Sequence, residues 1–255
     1  MTSDIFAFVH DKLLRSGDYK SKMFGTLEAF AKEAEKMADG IDHKTKPGKH
    51  SPDVSNKNKG ETAFQRALYS HSEGQIQSGK VSWCDIELPV TLSKKSRRRC
   101  VDLIGRFGGS GYFLCELKYA NPKSKSRPSS KSPDYAVLEA LLYYGCVKKN
   151  QRDLDKQMVW REERKAEFFW ADVAKSKTIM VLANEKFWIP AQPKRLSDLI
   201  NSIEGELNVK VLLYKTPCFQ FKEDAADKPG RYCPKLPDGA DKWTPVFEST
   251  PTENA

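Results

Sequence analysis

The 255-residue sequence contains no apolar run approaching the roughly 18 residues of a membrane span, and no hydrophobic segment follows Met1 as a secretion signal would. Neither a membrane protein nor an exported one is expected. The six cysteines, Cys84, Cys100, Cys115, Cys146, Cys218 and Cys233, have neither metal-finger spacing nor the close pattern of a disulfide framework. Most stand within apolar runs, so reduced thiols in a cytoplasmic protein are expected. The four histidines, His10, His43, His50 and His71, all lie toward the N-terminal end, none of them beside a serine elbow or a cysteine motif. Nucleophilic serine or cysteine catalysis therefore lacks its signature. A phosphate-binding loop is missing too, because Gly108-Gly109-Ser110-Gly111 is followed by no lysine and joins two strands rather than opening a helix.

What the sequence has in excess is positive charge. Lysine and arginine number 43 against 34 aspartates and glutamates, a formal net charge of +9, which favours a polyanionic partner. The charge gathers in polar stretches. Residues 41–60 carry Lys44, Lys46, Lys49, Lys57 and Lys59 and read as a basic flexible loop. Residues 93–99, SKKSRRR, and 121–133, NPKSKSRPSSKSP, are two more basic connections, the second without an acid.

Between these loops the apolar pattern divides the chain. Residues 1–40 read as an N-terminal helical segment, 61–217 as one α/β domain and 218–255 as an irregular, disordered tail. Within the domain, helices are expected at 61–71, 134–149, 154–174 and 196–207. Strands are expected at 83–92, 99–107, 112–120, 178–182 and 209–214, with the 178–182 strand continuing through Phe187, Trp188 and Ile189. Pro133 and Asp134 open the second helix; Lys148 and Lys149 close it.

The strands 99–107 and 112–120 form the part that carries chemistry. A three-residue loop, Gly108–Ser110, makes residues face one another when their numbers sum to 218, so Asp102 is expected opposite Glu116. Lys118 then shares their face. Ile104 and Leu114 share it as well, while Val101, Leu103 and Leu117 are expected on the other. Two acids and a base inside a sheet covered on both sides conflict with stability unless a cation reconciles them.

Asp102, thirteen intervening residues and Glu116-Leu117-Lys118, set in the order helix, three strands, helix, strand, resemble the PD-(D/E)XK nuclease superfamily. The resemblance covers about half of the chain. Val101 stands where many members have proline. The resemblance implies an α/β fold of the restriction-endonuclease-like kind: an αβββαβ core, a mixed central sheet flanked by helices, here with the N-terminal helical segment added. It implies a Mg²⁺-dependent deoxyribonuclease, with Mn²⁺ able to substitute, acting in restriction, defence or recombination. Asp102 and Glu116 would hold the metal, with the Leu117 carbonyl as a further ligand. Lys118 would position or help deprotonate the attacking water. Many members add an acid from the preceding helix, here Glu61, whose other reading is a first-turn glutamate that favours the helix N-terminus. Glu139 and Tyr143, one turn apart on the following helix, are accessory candidates, and Glu139 departs from the glutamine of exonuclease-like members; both also suit the edge of a core. Arg97, Arg98, Arg99, Lys123, Lys125, Arg127 and Lys131 would contact nucleic-acid phosphates, and a homodimer would suit a double-strand cut. Two other readings stay open: a non-catalytic nucleic-acid-binding protein of the same fold, and a basic protein–protein adaptor.

Overall fold

Alternating apolar residues in 79–118 and continuous ones in 178–184 build a sheet that is antiparallel at one side and parallel in its middle. A computed structural model describes residues 60–71, 73–76, 79–91, 99–108, 111–123, 132–156, 167–218 and 236–247. The expected N-terminal helices, the 41–60 loop, most of 93–99 and 121–133, and most of the tail lie outside the described residues. Helix α1 (Glu61–His71) leads into β1 (Glu73–Ile76), β2 (Gly79–Thr91), β3 (Arg99–Phe107) and β4 (Tyr112–Lys118). Helices α2 (Pro133–Lys156) and α3 (Trp170–Ser176) cross to β5 (Thr178–Asn184). Helices α4 (Glu185–Trp188) and α5 (Pro193–Leu207) cross to β6 (Lys210–Thr216), and β7 (Thr244–Pro245) ends the order. The seven strands lie side by side in chain order, a mixed α/β arrangement. Pairing is antiparallel from β1 to β4, parallel from β4 to β6 and antiparallel again to β7. Strand β5, fully buried and parallel to both neighbours, explains the unbroken run TIMVLAN.

Each face has its own core. Helices α2, α3, α4 and α5 cover one face through Leu138, Leu142, Val147, Trp170, Phe187, Leu199 and Ile203, packed on Ile104, Leu114, Ile179 and Val181. Helix α1 covers the other through Phe64 and Leu68, packed on Trp83, Leu103, Phe113, Leu117, Met180 and Leu182. The segment 241–245 closes that second face. The Gln75 N–H donates to the Asp241 carbonyl at 2.8 Å, the Trp243 N–H donates to the Gln75 carbonyl at 2.9 Å, and Thr244 pairs with Lys215. In a flat sheet β1 and β6 would stand roughly 24 Å apart, whereas residues 242 and 244 can span only about 7 Å. The sheet therefore curls around the α1 face, and 241–245 ties its two sides together.

Several expectations change. Helix α2 runs on to Lys156; of the separate helix expected over 154–174, residues 157–166 lie outside the described residues, 167–169 are not helical, and α3 spans Trp170–Ser176. Asp155 provides the reason: its two carboxylate oxygens accept the N–H groups of Trp170 at 2.6 Å and Ala171 at 3.2 Å, starting a new helix there. Asp134 lies in the first turn of α2 as expected and pairs with Arg195 of α5 at 3.1 Å, while Ser132 caps the helix, its Oγ accepting the Tyr135 N–H at 3.2 Å. Residues 187–188 belong to α4, not to a continued strand. Strand β1 was not expected, and 236–247 adds β7 and the tie to β1 where only irregular chain was foreseen.

Candidate active site

The β3–β4 register follows the expected sum of 218, through Leu103↔Cys115, Ile104↔Leu114, Gly105↔Phe113 and Arg106↔Tyr112. The pairing stops one step before Asp102 and Glu116, which are therefore not a ladder pair. The alternation of β3 also changes there. Leu103 belongs to the α1 face, whereas Val101, expected beside it, belongs to the α2 face with Ile104. On β2, Ile86 and Leu88 divide in the same way, and Glu87 between them has a left-handed φ of 52°. Two adjacent strands thus reverse their facing at one level. Asp102 stands at the reversal, its carboxylate directed along the sheet: Oδ2 accepts the Leu117 N–H at 2.8 Å, the place a ladder carbonyl would take. Its own carbonyl accepts from Gln65 Nε2 of α1 at 2.8 Å, and Gln65 Nε2 also reaches Asp102 Oδ1 at 3.3 Å.

From the end of β4, Lys118 collects the other acids. Its Nζ donates to Glu116 Oε1, lies 2.9 Å from Glu139 Oε2 of α2, and lies 4.0 Å from Glu61 Oε1 of α1. Glu61 is also tied to this end of β4, its Oε2 accepting the Tyr119 N–H at 3.4 Å. Tyr143 donates from its hydroxyl to Glu139 Oε1 at 3.3 Å. The structure thus brings Asp102, Glu116, Lys118, Glu61, Glu139 and Tyr143 together. Gln65 is a site residue that the sequence reading passed over, although its place one turn after Glu61 gave the signal.

Behind Lys118 the chain is held by a reciprocal pair. Asn184 Oδ1 accepts the Ala120 N–H at 3.0 Å, and Asn184 Nδ2 donates to the Ala120 carbonyl at 2.8 Å. Lys186 then fixes the following turn by donating to the carbonyls of Asn121 and Pro122 at 2.8 Å each.

The electrostatics follow from burial. Glu116 and Lys118 are each only 4% exposed, so neither charge is solvated. Burial drives the Asp102 carboxyl up to about 7, against the opposing pull of Lys118 and the Leu117 N–H, with Glu61 and Glu139 adding to the rise. Burial, then the Asp102 charge, raises the Glu116 carboxyl well above its usual range. For Lys118, burial acts to lower the pKa, but Glu116, Glu139, Glu61 and Asp102 outweigh it, so the ammonium keeps its proton far into alkaline solution. Among the described residues, four acids surround this one ammonium, so the cluster is short of positive charge once the acids are ionised. Glu116 Oε2 is buried with no hydrogen-bond partner, an uncompensated oxygen of the kind that a cation satisfies. The donors are all oxygens, which suits a hard divalent ion. With the Lys118 ammonium between Glu116 and Glu139, no group of three or more His, Cys, Asp or Glu among the described residues is arranged to hold a metal.

The phosphate-contact candidates are less fully placed. Lys123 is exposed at the turn after β4, and Arg99 opens β3 in its backbone. Arg97, Arg98, Lys125, Arg127 and Lys131 lie outside the described residues. Glu87 of β2 pairs with Arg66 of α1 at 3.5 Å. No helix among the described residues is long and apolar enough to cross a membrane. Compared with protein-family models, with curated proteins and with solved structures, the chain matches none.

Proposed function

We propose that the chain is a divalent-metal-dependent nuclease, hydrolysing phosphodiester bonds in DNA, on a core of the restriction-endonuclease-like kind. One observation carries the reading: Asp102, Glu116 and Lys118 from a single hairpin meet Glu61 and Glu139 from the two flanking helices, with a buried carboxylate oxygen left unsatisfied. The order α1, the antiparallel strands β2, β3 and β4, α2 and the parallel strand β5 agrees with the proposed core, to which β1 and α3 are additions.

Asp102 and Glu116 would hold Mg²⁺ or Mn²⁺, with the Leu117 carbonyl as a further ligand. Such an ion, when bound, supplies charge neutralisation at the scissile phosphate and polarisation of a water molecule. Gln65 and the Leu117 N–H fix the Asp102 carboxylate, so its orientation is set before substrate arrives. Lys118 keeps its proton at Nζ among these acids and so acts as the cation that positions the water and stabilises charge developing on the phosphate. Glu139, hydrogen-bonded by Tyr143, holds Lys118 from the α2 side, and Glu61 holds it from the α1 side. Arg97, Arg98, Arg99, Lys123, Lys125, Arg127 and Lys131 would bind the phosphate backbone, in the connections that enter and leave the hairpin.

The test is cleavage of plasmid, linear and single-stranded DNA with Mg²⁺ or Mn²⁺. The wild type cuts, Lys118→Ala loses at least about 10²-fold in rate, and chelation stops the reaction. Equal rates for wild type and Lys118→Ala would refute the assignment. The logarithm of DNA affinity falls steeply with the logarithm of salt concentration, and a flat dependence would remove the phosphate contacts from the account.

A further inference from the structure

The ladder pairs Ile86↔Leu103 and Leu88↔Val101 flank Glu87 and Asp102, which therefore stand opposite one another across β2 and β3. Ile86 and Leu103 belong to the α1 face, Leu88 and Val101 to the α2 face, so the reversal of facing falls on this one opposed pair. On the β2 side it is made by Glu87, whose φ of 52° lies in the left-handed region that a side chain disfavours. Glycine takes that conformation freely; glutamate needs a contact that holds it there. Helix α1 supplies one. Arg66 Nε lies 3.5 Å from Glu87 Oε1, and the two side chains are 14% and 22% exposed, so water screens the pair only partly. Arg66 Nη1 is buried without a hydrogen-bond partner. A pair desolvated this far is often no more stabilising than apolar side chains in its place, so its use lies in fixing a geometry. The residue before Arg66 acts on the other strand. Gln65 Nε2 donates to the Asp102 carbonyl at 2.8 Å and reaches Asp102 Oδ1 at 3.3 Å. Consecutive residues of α1 thus hold the two opposed residues of the reversal.

We propose that Arg66 and Glu87 are positioning residues for Asp102: their ion pair keeps Glu87 left-handed, and so keeps the Asp102 carboxylate turned along the sheet onto the Leu117 N–H. With Glu87 extended, strict alternation would resume in both strands, and Asp102 would turn to one face of the sheet, away from Leu117. The geometric claim stands on the fold alone. Its use in cleavage rests on the nuclease reading, in which Asp102 holds the metal.

Amide hydrogen exchange of the full chain in chelator, followed by NMR, reads that geometry through the Leu117 N–H, which Asp102 Oδ2 accepts. Arg66→Gln and Glu87→Gln each speed exchange at Leu117 at least about tenfold, while the amides of β5 keep their protection and so show the fold intact. Glu87→Gly, free to take a positive φ without Arg66, stays within about threefold of the wild type. Calorimetric titration of the same proteins with Mn²⁺ reads the consequence. By charge alone, loss of the Arg66 guanidinium would strengthen cation binding; the proposal predicts that Arg66→Gln weakens it at least about tenfold. Unchanged Leu117 exchange in the folded glutamine variants, or Glu87→Gly exchanging as fast as Glu87→Gln, would overturn the proposal; should Arg66→Gln not fold, Glu87→Gln decides. Faster exchange with undiminished Mn²⁺ affinity would overturn the positioning role. A wild type that binds no Mn²⁺ would instead remove the nuclease reading, with the Leu117 result still deciding the geometry.

Discussion

Asp102 carries the largest legible consequence of burial. Its carboxyl rises from 3.8 in the unfolded chain to about 7 in the folded one, so the folded state binds more protons between those values. Stability from this group is therefore greatest at acid pH and declines as pH rises from about 4 to about 7, at a cost on the order of a few kcal/mol above 7. Urea unfolding at pH 5 and pH 8, with and without Asp102→Asn, checks this: without metal, the variant narrows the difference between the two pH values. The same proton competes with a cation, so Mn²⁺ affinity rises with pH through about 7, and pH-independent binding would oppose the assignment. Lys118→Ala removes the one cation that the described residues place among the acids and costs about 3–5 kcal/mol in chelator, part of which divalent ions restore. The identities of Asp102, Glu116 and Lys118 were readable because charges in a sheet with both faces covered stand out. The direction of the Asp102 carboxylate was not. It depends on the reversal at Glu87 and Val101, and strict alternation gives no sign of a non-glycine residue with a positive φ.

Among elements, the β3–β4 hairpin was the clearest, since glycines bounded by two apolar runs fix both turn and register. Strand β1, four residues reading EGQI, has no periodicity to detect and forms because β2 extends back to Gly79 and pairs with it. Helix α3 depends on the carboxylate of Asp155, fifteen residues earlier, which local propensity does not report. The end of β4 depends in turn on Asn184 at the end of β5. Asn184→Ala leaves both backbone groups of Ala120 without partners and is expected to cost about 2–4 kcal/mol in unfolding free energy. Because that contact directs the chain just beyond Lys118, the proposed nuclease function predicts that the variant also loses cleavage rate under conditions where it remains folded.

Across the whole molecule, the curl of the sheet is what the amino-acid pattern reported least. It rests on 241–245, where Trp243 packs 5.4 Å from Trp83 between ring centroids and donates from its indole N–H to the Ala240 carbonyl at 3.2 Å. Gly74 permits this, since a Cβ there would collide with the Trp243 ring. Trp243→Ala is expected to lower stability by about 3–5 kcal/mol in chemical denaturation, and Gly74→Ala by about 1–3 kcal/mol. The curl and the two helical layers bring α1 and α2 to the same end of β4, so acids distant in sequence converge on one lysine. Calorimetric titration of the full chain with Mn²⁺ at pH 8 tests that convergence most directly. The account predicts binding that Asp102→Asn and Glu116→Gln each abolish while the fold persists; undiminished binding in both variants, or none to the wild type, would contradict it.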